Sequence, residues 1–189
     1  EKNRIKIEAG DIQGVNHGLA SLLQLIMTAK DAQLPVLTIQ DKPAFGYRGL
    51  MLDCARHFWT VDELKETLDH MAFFKLNTLH MHLTDNQAWR LSMDKYPDLV
   101  KEGTYYYDFP ELSGKYYSKE DLKEIVTYAG TRGIEIIPEV DLPGHSIALL
   151  AALPELSCRG GKFEATPEER DWNKRKRGNV NMICIGNPQ

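Results

Sequence analysis

Arg56, Asp85, Asp141 and His145 each stand just beyond one of three short apolar runs. A guanidinium is a fixed fork of donors, suited to two neighbouring acceptors on one ligand. A histidine oriented by an aspartate can pass the influence of that charge to a nearby buried carboxyl. His80 and His82, at i and i+2, point to the same side of a strand. Such a pair could hold zinc, or could be packed and hydrogen-bonded inside a core. Glu139 and Asp141 also share a side and could form an ordinary acid–base carboxylate pair.

These residues need elements to hold them. Residues 49–53, Gly-Leu-Met-Leu-Asp, form a short apolar run that leads into Cys54-Ala55-Arg56-His57-Phe58. Thr60 and Glu63 have capping-box spacing, and Leu64, Leu68, Met71 and Ala72 follow at helical intervals. The next strand is expected over 77–83, ending in Thr84-Asp85-Asn86-Gln87. A second capped helix starts over Ser118 to Asp121, with Leu122, Ile125, Val126 and Ala129 on one face. Residues 134–140 then read as a strand running into Asp141-Leu142-Pro143-Gly144-His145. Alternating strands and helices imply parallel strands joined by right-handed crossovers. In a parallel α/β barrel, ligands bind at the C-terminal strand ends, so all three clusters would converge on one rim. Cys54, directly after a strand, reads as a small buried residue.

The first forty residues differ. Ile5 and Ile7 alternate with charges like a half-buried strand, Asn16 is placed to cap a helix with Leu19, Leu22, Leu23 and Ile26 on one face, and Val36 to Ile39 reads as a short strand. Asp41-Lys42-Pro43 then punctuates the chain. The expected domains are therefore 1–42 and 43–189.

Bulk composition narrows the function classes. The chain has 189 residues, 23 Lys and Arg against 27 Asp and Glu, and a formal charge of -4. That balance gives no footing for nucleic acid or an anionic membrane, and no apolar run approaches the roughly 20 residues of a membrane span. The basic run Lys174 to Arg177 reads as a solvated loop. Three cysteines, an odd count, argue against a disulfide scaffold. A complete (β/α)₈ barrel takes roughly 200–250 residues or more, so a barrel enzyme of this length is expected to be incomplete.

Three motifs in order carry a resemblance. They are Tyr47-Arg48-Gly49-Leu50-Met51-Leu52-Asp53 with Arg56-His57-Phe58, then His80-Met81-His82-Leu83-Thr84-Asp85-Asn86-Gln87-Ala88-Trp89-Arg90, then Pro138-Glu139-Val140-Asp141-Leu142-Pro143-Gly144-His145. From about Phe45 onward the chain resembles family 20 glycoside hydrolases, the β-N-acetylhexosaminidases. The resemblance implies the first three βα units of a (β/α)₈ TIM barrel, with residues 1–42 as the end of the small α/β domain that precedes it. It also implies removal of terminal β-linked N-acetylglucosamine or N-acetylgalactosamine by substrate-assisted, retaining catalysis without a metal or other cofactor. The compartment favoured by the resemblance is secreted, periplasmic or lysosomal.

Residue by residue, Arg56 resembles the arginine that grips the 3- and 4-hydroxyls of the terminal sugar. Asp85 and His145 resemble a hydrogen-bonded pair that holds the acid Glu. Asp141 resembles the partner of the Asp that polarises the acetamido group. Trp89, Tyr105, Tyr106 and Tyr107 could stack on sugar faces, although core packing is the plainer role for Trp89. Similar enzymes carry cysteines near Cys158 and Cys184, which makes a disulfide between them plausible. The family's adjacent Asp-Glu pair follows the fourth strand, whereas Asp62-Glu63, the one such dipeptide here, lies in a helix start. The expectation is therefore that the acid and the polarising Asp lie in a missing C-terminal half of the barrel, and that this chain alone is inactive. A metal-dependent barrel hydrolase using His80 and His82, and a non-catalytic sugar-binding fragment, are the rival readings.

Overall fold

The computed structural model describes residues 4–31, 33–104, 113–158 and 182–186. Tyr105, Tyr106, Tyr107 and the basic run at 174–177 lie outside them. The described elements, in chain order, are α1 (Ile12–Thr28), β1 (Gly49–Asp53), α2 (Val61–Phe73), β2 (Thr78–His82), α3 (Asp98–Glu102), α4 (Lys119–Thr131), β3 (Glu135–Glu139) and α5 (Ile147–Ala152), followed by a 3-10 turn at Pro154–Leu156. The strands form one parallel sheet in the order β1-β2-β3. Sequential order with a helix in each crossover makes three successive βα units, the partial barrel expected from the alternation. Central β2 is buried apart from half-buried His80, while β1 and β3 expose Leu50, Met51 and Ile137. Among the described residues an outer strand has a neighbour on one side only, so its apolar side chains keep contact with water.

The chain divides into two compact units. One comprises residues 1–50, 61–79 and 125–137. In it, α1 and α2 touch, and Gln24 Nε2 donates to the Phe73 carbonyl at the end of α2 (2.8 Å). Helix α2 buries Leu64, Leu68 and Met71, the stripe its sequence spacing places on one face. Arg48 anchors the entry to β1 by donating to the carbonyls of Lys75 (2.8 Å) and Phe45 (2.8 Å). Asp69 accepts from Tyr128 and Arg132, which ties α2 to the second half of α4.

The N-terminal segment departs from expectation in three ways. Helix α1 starts four residues before Asn16, because Asp11 is the cap: its side chain accepts the Gly14 amide at 2.7 Å. Leu19, Leu23 and Ile26 remain about half exposed, and Ala20 is the residue α1 buries. Neither Ile5–Ile7 nor Val36–Ile39 forms a strand, since no neighbouring backbone among the described residues offers a ladder partner.

The other unit comprises residues 51–60, 80–124 and 138–189. Ser118 and Asp121 form the expected reciprocal cap at the start of α4: Ser118 Oγ accepts the Asp121 amide (3.1 Å), and the Ser118 amide donates to Asp121 Oδ2 (2.8 Å). Trp89 packs with Leu99, Ala148 and Leu149 and donates its indole N–H to the Leu91 carbonyl (2.8 Å), so it is core here. Cys158 and Cys184 are joined in a disulfide.

Because Leu68 is fully buried in α2, Leu68→Ala should destabilise the protein by roughly 2–5 kcal/mol. Urea unfolding of the two proteins side by side measures this.

Candidate active site at the strand ends

Residues 83–90 fold back on themselves immediately after β2. Thr84 and Trp89 form an antiparallel bridge, the Asp85 amide donates to the Ala88 carbonyl (3.0 Å), and the Arg90 amide donates to Leu83 (2.9 Å). Asp85 Oδ1 accepts the amide of Asn86 (2.6 Å), an Asx-type contact that aims the carboxylate inward. The Asp85 side chain is 1% exposed. Its Oδ2 accepts from Arg56 Nη2 (2.6 Å) and from His82 Nε2 (3.0 Å), and its Oδ1 also accepts from His145 Nδ1 (3.0 Å).

Each donor is itself held. Arg56 follows β1, and Asp53 at the strand end receives both its backbone amide (3.0 Å) and its Nη1 (2.6 Å). The turn between them is clamped from two sides. The amides of Cys54 and Ala55 both donate to the His82 carbonyl (3.0 Å each), while buried Arg90 donates to the carbonyls of Cys54 and Ala55 (3.2 Å each). Arg90 also donates to the Lys115 carbonyl (2.6 Å) and lies 5.5 Å from the centre of the Phe58 ring, which stacks on Tyr117. Cys54 is fully buried, as its position after the strand suggested, and burial pushes its thiol up to about 11.

Asp141 and His145 follow β3. The Asp141 amide donates to Thr84 Oγ1 (2.9 Å). His145 has φ 52°, a left-handed conformation uncommon for a non-glycine residue. Around it, Ser146 Oγ donates to the carbonyls of Pro143 (3.0 Å) and Gly144 (2.8 Å), and the Ile147 amide donates to Asn86 Oδ1 (3.3 Å). Ligand atoms of Asp85, Asp141 and His145 lie within 4.8 Å of one another. The structure thus gathers Arg56, Asp85, Asp141 and His145 at one place.

The histidines of β2 point to the same side and meet one carboxylate. His80 Nε2 lies 2.6 Å from Glu139 Oε2, and His82 Nδ1 lies 2.8 Å from Glu139 Oε1. Both ring nitrogens of His82 therefore face carboxylate oxygens, and both must carry hydrogens to donate. The hydrogen bond to Asp85 above all, and that to Glu139, outweigh burial and raise the His82 pKa to about 9. For Asp85, burial opposes ionisation, but the donors His82 and Asn86 with the Arg56 charge prevail and hold its pKa below the usual carboxylate value. Glu139 behaves alike: burial opposes ionisation and is outweighed by His82 and then His80.

His82, Glu139 and Asp141 also offer ligand atoms within 4.8 Å of one another. A metal at His82 would have to displace one of its two carboxylate partners and remove a proton, which is unfavourable in this surrounding. Sequence reasoning weighed Glu139 as half of a carboxylate pair and missed its bonds to His80 and His82. The signal was present: two strand histidines on one side, with an acidic residue on the same side of the next strand. It also missed Asp53 as the partner of Arg56, and Arg90.

Parallel strands whose ends converge on a buried, hydrogen-bonded aspartate, flanked by an arginine and a histidine, form the strand-end rim of a partial (β/α)₈ barrel, the side on which this fold carries its ligand sites. Residues 45–189 match glycosyl hydrolase family 20, catalytic domain, and the chain belongs to that family. It is 40% identical over 174 residues to a beta-hexosaminidase of Porphyromonas gingivalis, covering 87% of this chain and 22% of that protein. The Flavobacterium johnsoniae chitobiase structure superposes with a TM-score of 0.69 at 44% identity, covering 80% of this chain and 22% of that one. A Vibrio harveyi exo-β-N-acetylglucosaminidase in complex with N-acetylglucosamine gives a TM-score of 0.72 at 35% identity, covering 86% of this chain and 29% of that one. The chain thus spans between a fifth and a third of these relatives' lengths.

The raised His82 pKa sets a pH window with a definite sign. A histidine that binds its proton more tightly when folded stabilises fully below its ordinary value of 6.5, and that stability is lost as pH rises through about 9. Denaturant midpoints should fall across that interval in the wild type and vary less in His82→Gln. A wild-type midpoint that rises across it would contradict the assignment.

Proposed function

We propose that this chain supplies the terminal-sugar grip and the supporting acid–base network of a β-N-acetylhexosaminidase. The observation that carries this reading is the buried Asp85 carboxylate, which receives Arg56 on one oxygen and His145 on the other. Arg56 is fixed by Asp53 and Asp85, and its guanidinium edge is partly open to solvent, so it can present donors to adjacent hydroxyls. His145 keeps a ring edge toward solvent while Nδ1 is bound to Asp85, an arrangement suited to holding a carboxylic acid. Asp141 stands beside them to press on the Asp that polarises the acetamido group.

In this reading the substrate is a glycan ending in β-linked N-acetylglucosamine or N-acetylgalactosamine. Its own acetamido oxygen attacks the anomeric carbon, and a Glu protonates the leaving oxygen. Asp62 and Glu63 lie in the first turn of α2, so the acid Glu and its neighbouring Asp come from the remainder of the barrel, the partner this chain needs. Residues 1–42 belong to the preceding small domain and 43–189 to the catalytic barrel. This reading calls on no metal; His80 and His82, the ligands of the rival reading, serve in it as hydrogen-bond partners of Glu139 and Asp85. The Cys158–Cys184 disulfide fits an oxidising compartment, whether secreted, periplasmic or lysosomal.

The complete enzyme should release a chromophore from an aryl β-N-acetylglucosaminide, and the isolated chain should not. Arg56→Ala removes two charge-assisted hydrogen bonds at roughly 1.5–3 kcal/mol each. At about 1.36 kcal/mol per tenfold, kcat/KM should fall on the order of 10²–10⁴. Unchanged kinetics would show that Arg56 does not touch the sugar.

A further inference from the structure

The network does not stop at the residues that face the ligand. From His80 Nε2 it runs through Glu139 Oε2 (2.6 Å), from Glu139 Oε1 to His82 Nδ1 (2.8 Å), from His82 Nε2 to Asp85 Oδ2 (3.0 Å), and from Asp85 Oδ1 to His145 Nδ1 (3.0 Å). His82, with a side chain 8% exposed and both nitrogens occupied, has no edge left for a substrate. We infer that Glu139 and His82 are a positioning pair: Glu139 keeps both His82 nitrogens donating, and His82 thereby holds the Asp85 carboxylate anionic and aimed at Arg56 and His145. This inference rests on the hexosaminidase reading of the site and adds to it a second carboxylate, joined to Asp85 through His82.

A neutral imidazole has one N–H and one lone pair. If His82 lost a proton, one of its two carboxylates would face a lone pair, and a buried anion without its donor is costly. Glu139 resists that loss because its negative charge faces Nδ1 directly. Among the described residues, the other charged or titratable groups around the pair are Asp53 from β1, Arg56 on the shared Asp85 oxygen, His80 on the second Glu139 oxygen, and Asp141, whose carboxylate neighbours His82 and Glu139. Removing the Glu139 charge leaves Asp85 as the one anion hydrogen-bonded to the ring among the described residues. The His82 proton then departs at lower pH, and Asp85 loses a charge-assisted donor while Arg56, Asn86 and His145 stay in place.

The test is the pH profile of the complete enzyme, wild type against Glu139→Gln and Glu139→Asp, with an aryl β-N-acetylglucosaminide as substrate. The expected result is that the alkaline limb of kcat/KM moves to lower pH in Glu139→Gln by about one unit, a tenfold change in proton affinity. KM on the acid side of the limb should change little, and Glu139→Asp should restore part of the shift. A loss of kcat that is uniform across pH, with the limb unmoved, overturns the inference and leaves Glu139 as packing. Should Glu139→Gln fail to fold, the His82 imidazole is titrated by NMR in ring-labelled wild-type enzyme. Protonation persisting well above an ordinary histidine value supports the pair, and an ordinary titration overturns it. If the complete enzyme does not cleave the substrate, the functional reading fails while the imidazole titration still decides the pairing.

Discussion

A carboxylate taken out of water must be given donors in return. Asp85 is such a group, and its hydrogen bonds set where the surrounding chain can go. Arg56 comes from the end of β1, His82 from β2 itself, Asn86 from the turn after β2 and His145 from the loop after β3. One anion thus fixes the relative placement of three strand ends. Strand pairing alone leaves the polar loops above the strands free to adopt many arrangements. The charge of Asp85 selects the arrangement in which the arginine and the histidine meet one carboxylate.

The backbone around these side chains is fixed by less conspicuous bonds. Arg90 is fully buried and uses its guanidinium on main-chain carbonyls of the turn that carries Arg56. The left-handed His145 occurs in the loop that delivers the imidazole, and Ser146 and Asn86 hold that loop. A residue in a sparsely populated conformation persists where its surroundings over-determine it, a common feature of functional sites.

Much of this was legible in the sequence, for identifiable reasons. The three strands and the helices α2 and α4 follow from apolar periodicity and from caps, which are local signals. Convergence of Arg56, Asp85, Asp141 and His145 followed from one topological rule about strand ends. What was not legible depended on contacts between distant residues. The bonds of Glu139 to His80 and His82 join β3 to β2, so their signal is split between two strands and emerges once the strands are paired. Asn16 looked like a cap by residue type, yet Asp11 is the residue positioned before the first free amides. Ile5, Ile7 and Val36 to Ile39 have strand composition without a strand, because a ladder needs a second backbone that composition cannot supply. Asp53, three residues before Arg56, was hidden in plain view as the end of an apolar run.

The most direct test is Asp85→Asn in the complete enzyme, an isosteric change that swaps an acceptor oxygen for an N–H₂ and removes the charge. One amide group would then confront donors from Arg56, His82 or His145 with a donor of its own. If the buried anion organises the site, kcat/KM should fall by roughly a hundredfold or more, with a lower melting temperature. Wild-type kinetics and wild-type stability in Asp85→Asn would contradict the account at its centre.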